Sequence, residues 1–258
     1  MKQALIPAIL LALGTPGLAA AQVGPPCCQG ATVTPAITAA LADAGRPQAD
    51  KDRDAARHPG EILAFAGIKP GDKVGDFLMG GGYWTHILAP LVGAKGHVYS
   101  YQAAEFIAYR AAYATEQDAA VKGYANVTPS REGLATVAFP EPLDAIITVQ
   151  NYHDLHLGFA PPGAAKLIAS RLYAALKPGG VLLVVDHVAN ADPGFAVPDK
   201  LHRIDPAAAR AEIESVGFKF EGESPLLRNS DDPHTANVFD PSIRGHTDQF
   251  IYRFRKPK

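Results

Sequence analysis

The sequence of 258 residues has little of several features that define whole classes of protein. Its two cysteines stand side by side at positions 27 and 28, so no framework of disulfides can staple the chain. Basic residues show no excess, since 24 lysines and arginines face 26 acidic residues, and binding to nucleic acid is therefore not expected. No period of about 20–50 residues repeats, which argues against a solenoid. What remains is an ordinary globular chain, 47% hydrophobic, that can bury a full core.

The first residues have the pattern of an export signal. Lys2 is followed by an apolar run from Ala4 to Leu13 and then by small residues, which is typical of a signal peptide cleaved after Ala21. The run is short and interrupted, so we expect no stable membrane anchor after cleavage. The mature protein is then expected to be periplasmic or secreted.

The sequence predicts three segments: a signal peptide over 1–21, a linker with one short helix over 22–49, and one domain over 50–258. The linker is predicted from its glycine, proline, alanine and threonine content. Inside the domain, residues 225–248 form a long polar stretch that is rich in proline, asparagine and glycine. A stretch of this length is either a functional loop, often a lid, or a flexible insertion, and the sequence leaves both open.

Helical and strand patterns alternate through this domain. Short apolar runs typical of buried strands occur at 73–78, 97–101, 143–149 and 181–185, with helical patterns between them. Strands that are apolar on both faces and separated by helices predict a parallel sheet covered on both sides. The final run at 250–254 alternates polar and apolar residues, as a half-exposed strand does.

The first strand runs directly into a glycine turn, with Asp76 inside the strand and glycines at positions 80–82. Glycines let the backbone pass close to a ligand, and the helix that follows presents free N–H groups. In open parallel sheets, ligands lie outside the carboxyl ends of the strands. The phosphate-binding fingerprints are incomplete here, and Asp76 would repel a pyrophosphate. A cationic or zwitterionic ligand is therefore favoured.

The order of these motifs resembles that of class I S-adenosylmethionine-dependent methyltransferases. The segments that carry the resemblance are 74–82, 143–147, 176–186 and 216–218, and it covers about residues 50–258. The chain looks most like a bacterial group of predicted, often exported methyltransferases with Gly-Gly-Gly-Tyr and Asn-Tyr-His-Asp segments, here at 80–83 and 151–154. The resemblance implies an α/β, Rossmann-like fold: a seven-stranded, mostly parallel sheet with an antiparallel last strand and helices on both faces. It also implies S-adenosylmethionine as the cofactor.

The resemblance places the cofactor-binding residues at the glycine turn and beyond the strand at 143–149. They are Asp76, Gly80, Gly81, Gly82, Tyr83, Gln102 and Asn151. Two positions depart from the family pattern. Leu78 stands where the first glycine of the turn is usual, and Gln102 stands where an acidic residue hydrogen-bonds the ribose.

Candidate catalytic residues follow the strand at 143–149, at the same edge of the sheet. Methyl transfer needs alignment of the reacting atoms and sometimes a base, and His153 or Asp154 could supply one. His153 is the better base because imidazole titrates near neutral pH. The structural alternative is that Asp154 caps a turn and His153 packs in the interior.

Several of the neighbouring polar residues are of the types that ligate metal ions. The set that could ligate zinc consists of His153, Asp154, His156, Asp186 and His187. Their spacing matches no metal signature, so we expect no metal.

These residues predict S-adenosylmethionine-dependent methyl transfer to an unidentified acceptor, either a small molecule or a protein. A non-catalytic protein that binds a small ligand on the same scaffold is the alternative, favoured by Leu78 and Gln102. A metal-dependent hydrolase that uses the histidines is a weaker alternative.

Overall fold

The computed structural model describes residues 31–160 and 163–258. The predicted signal peptide, its cleavage site and the two cysteines lie outside these ranges. None of the described helices is long and apolar enough to cross a membrane.

The described residues form one sheet surrounded by helices. The strands are β1 (Lys73–Phe77), β2 (His97–Tyr101), β3 (Val127–Ser130), β4 (Leu143–Val149), β5 (Leu176–His187), β6 (Lys219–Ser224) and β7 (Gln249–Arg255). The α-helices are α1 (Pro35–Leu41), α2 (Gln48–Lys51), α3 (Asp54–Arg57), α4 (Pro59–Ala66), α5 (Thr85–Val92), α6 (Ala104–Tyr109), α7 (Ala112–Val121), α8 (Ala164–Ala175), α9 (Pro198–Leu201) and α10 (Pro206–Ser215). Two short 3₁₀ turns lie at Leu134–Thr136 and His153–His156. The four predicted core strands are all present, whereas β3 was not predicted.

The seven strands are arranged in the order β3-β2-β1-β4-β5-β7-β6. The pairs formed among β1 to β5 are parallel, and β7 runs antiparallel to both of its neighbours, β5 and β6. This confirms the predicted fold class. The direction of winding reverses between β1 and β4, so a crevice for ligands opens at the carboxyl ends of these two strands.

Side chains of the central strands alternate between two hydrophobic clusters, one on each side of the sheet. Phe77 and Ile146 belong to one cluster, and Val74 and Ile147 belong to the other. All four side chains are fully buried. Complete burial of one such side chain contributes about 1.5–3 kcal/mol, so both faces need the helices that cover them.

Local signals fix the ends of the helices. Pro59 is the first residue of α4, and Gly67 ends it in the left-handed conformation at φ 75°. Asp205 caps α10, because its carboxylate accepts a hydrogen bond from the N–H of Ala207 at 2.8 Å. Both boundaries follow from signals carried by a few neighbouring residues.

The folded unit begins earlier than the predicted boundary at residue 50. The short helix expected in the linker is present as α1, but Ile37 and Ala40 are buried in the core cluster that also covers α4 and α5. Arg46 is buried too and forms a bidentate ion pair with Asp54, at 2.8 and 2.7 Å. The part of the predicted linker from about residue 34 onward is therefore integral to the domain, because its apolar face is shared with the sheet.

Residues 225–248, between β6 and β7, form turns and bends. Val238 and Ile243 are buried, and two buried carboxylates, Asp232 and Asp248, accept hydrogen bonds from the loop and its surroundings. The stretch is thus packed against the domain at the sheet edge where the crevice opens.

Candidate functional site

The glycine turn follows β1 with three left-handed residues in alternate positions. Leu78 has φ 58°, Gly80 has φ 57° and Gly82 has φ 88°. A Cβ atom on Gly82 would lie 2.4 Å from the Cβ of Ala120, so this glycine is required by packing, whereas a Cβ on Gly80 would meet nothing within 4 Å. Leu78 adopts the backbone conformation for which the family uses glycine, at a cost of about 1–2 kcal/mol.

Asp76 lies in β1 just before the turn and is almost completely buried. The hydroxyl of Thr85, the first residue of α5, donates a hydrogen bond to its carboxylate at 2.6 Å. Burial raises the pKa of Asp76 to about 6, and the bonds from Thr85 offset only part of this effect. A cation placed beside this carboxylate would restore its charge.

A cavity of about 170 Å³ opens at the carboxyl ends of β1 and β4. Its lining includes the predicted residues Asp76, Gly80, Gly81, Tyr83 and Asn151. It also includes Arg53, Arg57, Leu78, Met79, Trp84, Val149 and Gln150. Most of the predicted cofactor residues are thus brought together in one place.

The two arginines of this cavity were not predicted. Arg57, at the end of α3, donates to the side chain of Gln150 at 3.1 Å and lies with its guanidinium carbon 4.7 Å from the ring centre of Tyr83. Burial lowers the pKa of Arg57 from its ordinary value, and the guanidinium stays charged. Arg53 pairs with the buried carboxylate of Asp50 at 2.5 Å. Both stand more than 20 positions upstream of the turn, and only the folding of α2 and α3 over β1 brings them to it.

The charges of the cavity suit a zwitterion. Asp76 offers one buried carboxyl group, and the guanidinium groups of Arg53 and Arg57 line the same space. An amino acid moiety that carries both an ammonium and a carboxylate complements this pair of charges. The cavity therefore fits the methionine part of S-adenosylmethionine by the chemistry of its side chains.

Two predicted cofactor residues have other positions. The side-chain oxygen of Gln102 accepts a hydrogen bond from the N–H of Gly80 at 3.0 Å, and its side chain is buried below the turn. Gly82 packs against Ala120. Neither of them is among the residues that line the cavity, so both act on the turn itself.

A second, larger cavity of about 500 Å³ adjoins the first at Gln150 and Asn151. The amide of Asn151 donates to the carbonyl of Leu78 at 2.5 Å and so ties the two cavities together. The polar lining of the larger cavity consists of His153, Asp154, His187, Asp199 and His202, and its aromatic lining of Phe106, Tyr109, Tyr113, Phe159 and Phe239. We call this space the second cavity.

His153 is held between two carboxylates. Its Nδ1 lies 2.7 Å from Asp186, which also accepts the backbone N–H of His153, and its Nε2 lies 3.1 Å from Asp154. Burial by itself would lower the pKa of His153, but Asp186 and Asp154 outweigh it and raise the pKa to about 10. The imidazolium already carries its proton and donates at both nitrogens, so it does not have the free nitrogen that a base needs. Both nitrogens of His153 are thus engaged by carboxylates, and its role as a base stays a prediction.

Asp154 and His187 complete the polar side of the second cavity. Burial opposes the charge of Asp154, but His153 and His202 outweigh it and lower the pKa of this carboxyl group. Burial lowers the pKa of His187 to about 4, so its imidazole is neutral, with Nδ1 2.7 Å from the hydroxyl of Thr247. His187 ends β5, and its ring is held at the cavity by the loop that carries Thr247.

His156 lies outside the second cavity, whereas His202 lines it. The ring of His156 stacks on Phe195, with 3.9 Å between ring centres, and does not line the second cavity. His202, 48 positions beyond Asp154, does line it. Only the chain path after β5 brings His202 there.

Comparison with known proteins places this fold. A structure of an S-adenosylmethionine-dependent methyltransferase from Aquifex aeolicus superposes with a TM-score of 0.55 at 19% identity, covering 81% of this chain and 95% of the other. The chain has the fold of class I S-adenosylmethionine-dependent methyltransferases. The [4+2]-cyclase SpnF superposes with a TM-score of 0.54 at 17% identity, covering 79% and 81% of the two chains. The fold by itself therefore does not fix the reaction.

One curated relative matches at the level of sequence. It is the protein-L-isoaspartate O-methyltransferase of Ignicoccus hospitalis, 30% identical over 159 residues. The match covers 61% of this chain and 65% of the length of that relative. No family model matches the chain.

Proposed function

We infer that this protein is an S-adenosylmethionine-dependent methyltransferase. The observation that carries the proposal is the small cavity at the carboxyl ends of β1 and β4, where a buried Asp76 and two arginines surround the glycine turn. The methyltransferase fold and the similarity to a methyltransferase of Ignicoccus hospitalis support it.

Different residues of the small cavity bind different parts of the cofactor. Asp76 attracts the positive charges of the ligand, and Arg57 pairs with its carboxylate. Gly80 and Gly81 let the backbone approach the ligand closely, because neither would place a Cβ near another atom. When bound, the cofactor supplies an activated methyl group on a sulfonium ion.

The second cavity holds the acceptor in this proposal. The two cavities meet at Asn151, so a nucleophile held in the larger one can be aligned with a methyl group held in the smaller one. His187 is neutral and lines the cavity, where its imidazole can accept a hydrogen bond from the acceptor. Asp154 orients the acceptor through a hydrogen bond, and His153 holds the carboxylate of Asp154 in place.

The acceptor has an apolar part. Tyr109, Phe159 and Phe239 are 82%, 46% and 57% exposed at the rim of the second cavity, and large aromatic side chains are costly to leave in water. Phe159 packs edge-to-face on Phe106 and stacks on Tyr109. A small molecule with a ring or an alkyl portion fits this concave space. A protein acceptor is the second candidate, because the relative of Ignicoccus hospitalis is named for one.

We further propose that the protein works outside the cytoplasm, after removal of residues 1–21. The basis is the signal pattern of the sequence. Sequencing the N-terminus of the protein recovered from a periplasmic extract tests this: a chain that begins at Gln22 supports export, and an intact Met1 contradicts it.

The function is tested first by calorimetric titration of the purified protein with S-adenosylmethionine, S-adenosylhomocysteine and methylthioadenosine. We expect Kd values of about a micromolar for the first two, equivalent to about −8 kcal/mol, and weaker binding of methylthioadenosine, which lacks the amino acid moiety. The substitution Arg57→Met should weaken the first two at least about tenfold and leave methylthioadenosine unchanged, because only the carboxylate partner is lost.

Arg244→Met is the matched control, since Arg244 is exposed in the loop before β7 and is remote from the lining residues. No heat at about millimolar S-adenosylmethionine from folded protein would overturn the proposal. Cofactor binding without transfer to any member of a panel of aromatic and aliphatic alcohols, amines, thiols and isoaspartyl peptides would favour the ligand-binding alternative.

A further inference from the structure

Three ligating side chains converge in the second cavity. His153, Asp154 and His202 each offer one nitrogen or oxygen, and these three atoms lie within 4.8 Å of one another. His153 Nε2 is 3.1 Å and His202 Nδ1 is 3.8 Å from the same carboxylate oxygen of Asp154. The side chain of His153 is almost buried, and those of Asp154 and His202 are partly open to the cavity.

These distances match the spacing of ligands around a metal ion. Donor atoms placed tetrahedrally at about 2.0–2.2 Å from zinc lie about 3.3–3.6 Å apart. The two separations from the Asp154 oxygen, 3.1 and 3.8 Å, lie on either side of this range. Three ligands leave at least one coordination position open, as sites that bind a further molecule do.

Asp186 accepts a hydrogen bond from the ring of His153, as carboxylates commonly do with histidines that bind metal ions. Its side chain is completely buried, and it lies 2.7 Å from His153 Nδ1, the ring nitrogen that faces away from Asp154. A carboxylate in this position fixes the ring and directs the lone pair of the other nitrogen outward. Together, Asp154 and Asp186 also offset the two positive charges of a divalent ion.

The backbone of His202 has an unfavourable conformation. It ends α9 with φ 53° and ψ 45°, the left-handed region that a residue with a side chain seldom adopts. Its ring stands perpendicular to that of His153, with 5.5 Å between centres, and Phe239 packs against it at 4.9 Å. Such strain is concentrated at functional sites, and here it turns the ring of His202 toward Asp154.

We propose that His153, Asp154 and His202 bind one divalent transition-metal ion, with the open coordination position toward the second cavity. Two imidazoles and one carboxylate suit Zn²⁺ and its neighbours, whereas Mg²⁺ and Ca²⁺ prefer oxygen ligands. The ion takes the place of the proton that His153 Nε2 shares with Asp154.

The role of this ion rests on the proposed function. The cavity joins the cofactor cavity at Asn151, so an oxygen or nitrogen of the acceptor that binds the open position is held at the junction. Coordination would fix the polar end of the acceptor while the aromatic rim holds its apolar end. Metal binding itself does not depend on this role.

The test is a calorimetric titration of the full chain with ZnCl₂, after treatment with a chelator and dialysis, combined with elemental analysis. We expect one Zn²⁺ per chain with a Kd of about a micromolar or tighter, and no heat with MgCl₂. His202→Ala and Asp154→Asn should each weaken binding at least about tenfold. His97→Ala is the control, because His97 begins β2 at the opposite end of the sheet, and it should leave the affinity unchanged.

A second readout does not depend on heat. Co²⁺ bound by two imidazoles and a carboxylate gives visible absorption, which should appear in the unaltered protein and in His97→Ala and be lost in His202→Ala. No zinc binding, or equal binding by His202→Ala that unfolds like the unaltered protein, overturns the proposal. Titration of the metal-free protein with S-adenosylmethionine separates the two proposals, since cofactor binding without zinc binding refutes only the metal site.

Discussion

The guanidinium of Arg203 and the carboxylate of Asp232 lie 2.8 Å apart in an ion pair whose two side chains are completely buried. Arg203 also donates to the carbonyls of Val188 and Ala236, at 3.0 and 2.8 Å. Asp232 accepts the backbone N–H of Asp248 at 2.7 Å. The pair thus ties the loop at 225–248 to the end of β5, which favours a structured functional loop over a flexible insertion.

The first prediction concerns this pair. Arg203→Ala leaves the carboxylate of Asp232 buried without its charged partner, and we expect the free energy of unfolding to fall by about 3–5 kcal/mol. Chemical denaturation followed by circular dichroism measures this. Arg210→Ala removes the exposed partner of Glu214 on α10 and should cost less than about 1 kcal/mol. An equal decrease in the free energy of unfolding of the two variants would contradict the claim that burial makes the Arg203–Asp232 pair more important than the exposed one.

The second prediction separates two glycines of the same turn. Gly80→Val should abolish binding of S-adenosylmethionine with a loss of stability limited to about 1–2 kcal/mol of backbone strain, since a Cβ at Gly80 meets no atom within 4 Å. Gly82→Ala should destabilise more, because its Cβ would lie 2.4 Å from that of Ala120 and force a shift of α7. Thermal unfolding gives the stability of each variant, and calorimetric titration gives its affinity for S-adenosylmethionine. Unchanged binding in folded Gly80→Val would show that the turn is not the cofactor site.

The third prediction concerns the effect of pH through Asp76. Because burial raises the pKa of Asp76 to about 6 in the folded protein, its protonated form favours folding, and this contribution is lost as pH rises from about 4 to about 6. The ligand-free protein should lose about 2–3 kcal/mol relative to Asp76→Asn across this window, since one pKa unit corresponds to about 1.4 kcal/mol.

Cofactor binding should have the opposite pH dependence. A cationic ligand needs the charged carboxylate, so the Kd of S-adenosylmethionine should rise about tenfold per pH unit below about 6. Arg57, which lines the same cavity, stays charged throughout this range. Asp76→Asn should bind weakly at every pH and remove the slope. If the Kd of Asp76→Asn still depends on pH in this range, the titrating group is not Asp76.

The sequence predicted the parts of the molecule that depend on local pattern. Strands β1, β2, β4 and β5 follow from their apolar runs, and Asp205 and Gly67 mark helix ends because capping acts over a few residues. The short strand β3 was missed, because three of its four side chains are polar or proline and it pairs only along one edge.

The parts of the site that depend on tertiary structure could not be predicted. Leu78 departs from the family pattern, yet it adopts the left-handed conformation, which only its surroundings can enforce. Gln102 is held by Gly80, and Arg57 reaches the cavity from a helix well upstream. The contact of His153 with Asp186 could not be predicted, because that carboxylate lies on the neighbouring strand β5.

The junction of the two cavities has a consequence for the order of binding. Among the described residues, the linings of the two cavities have Gln150 and Asn151 in common, and Arg53 and Tyr83 border one while Tyr109 and Phe239 border the other. Because the two linings otherwise differ, we expect each ligand to enter its cavity independently of the other. Steady-state kinetics should follow a random sequential scheme, in which S-adenosylhomocysteine competes with S-adenosylmethionine and not with the acceptor.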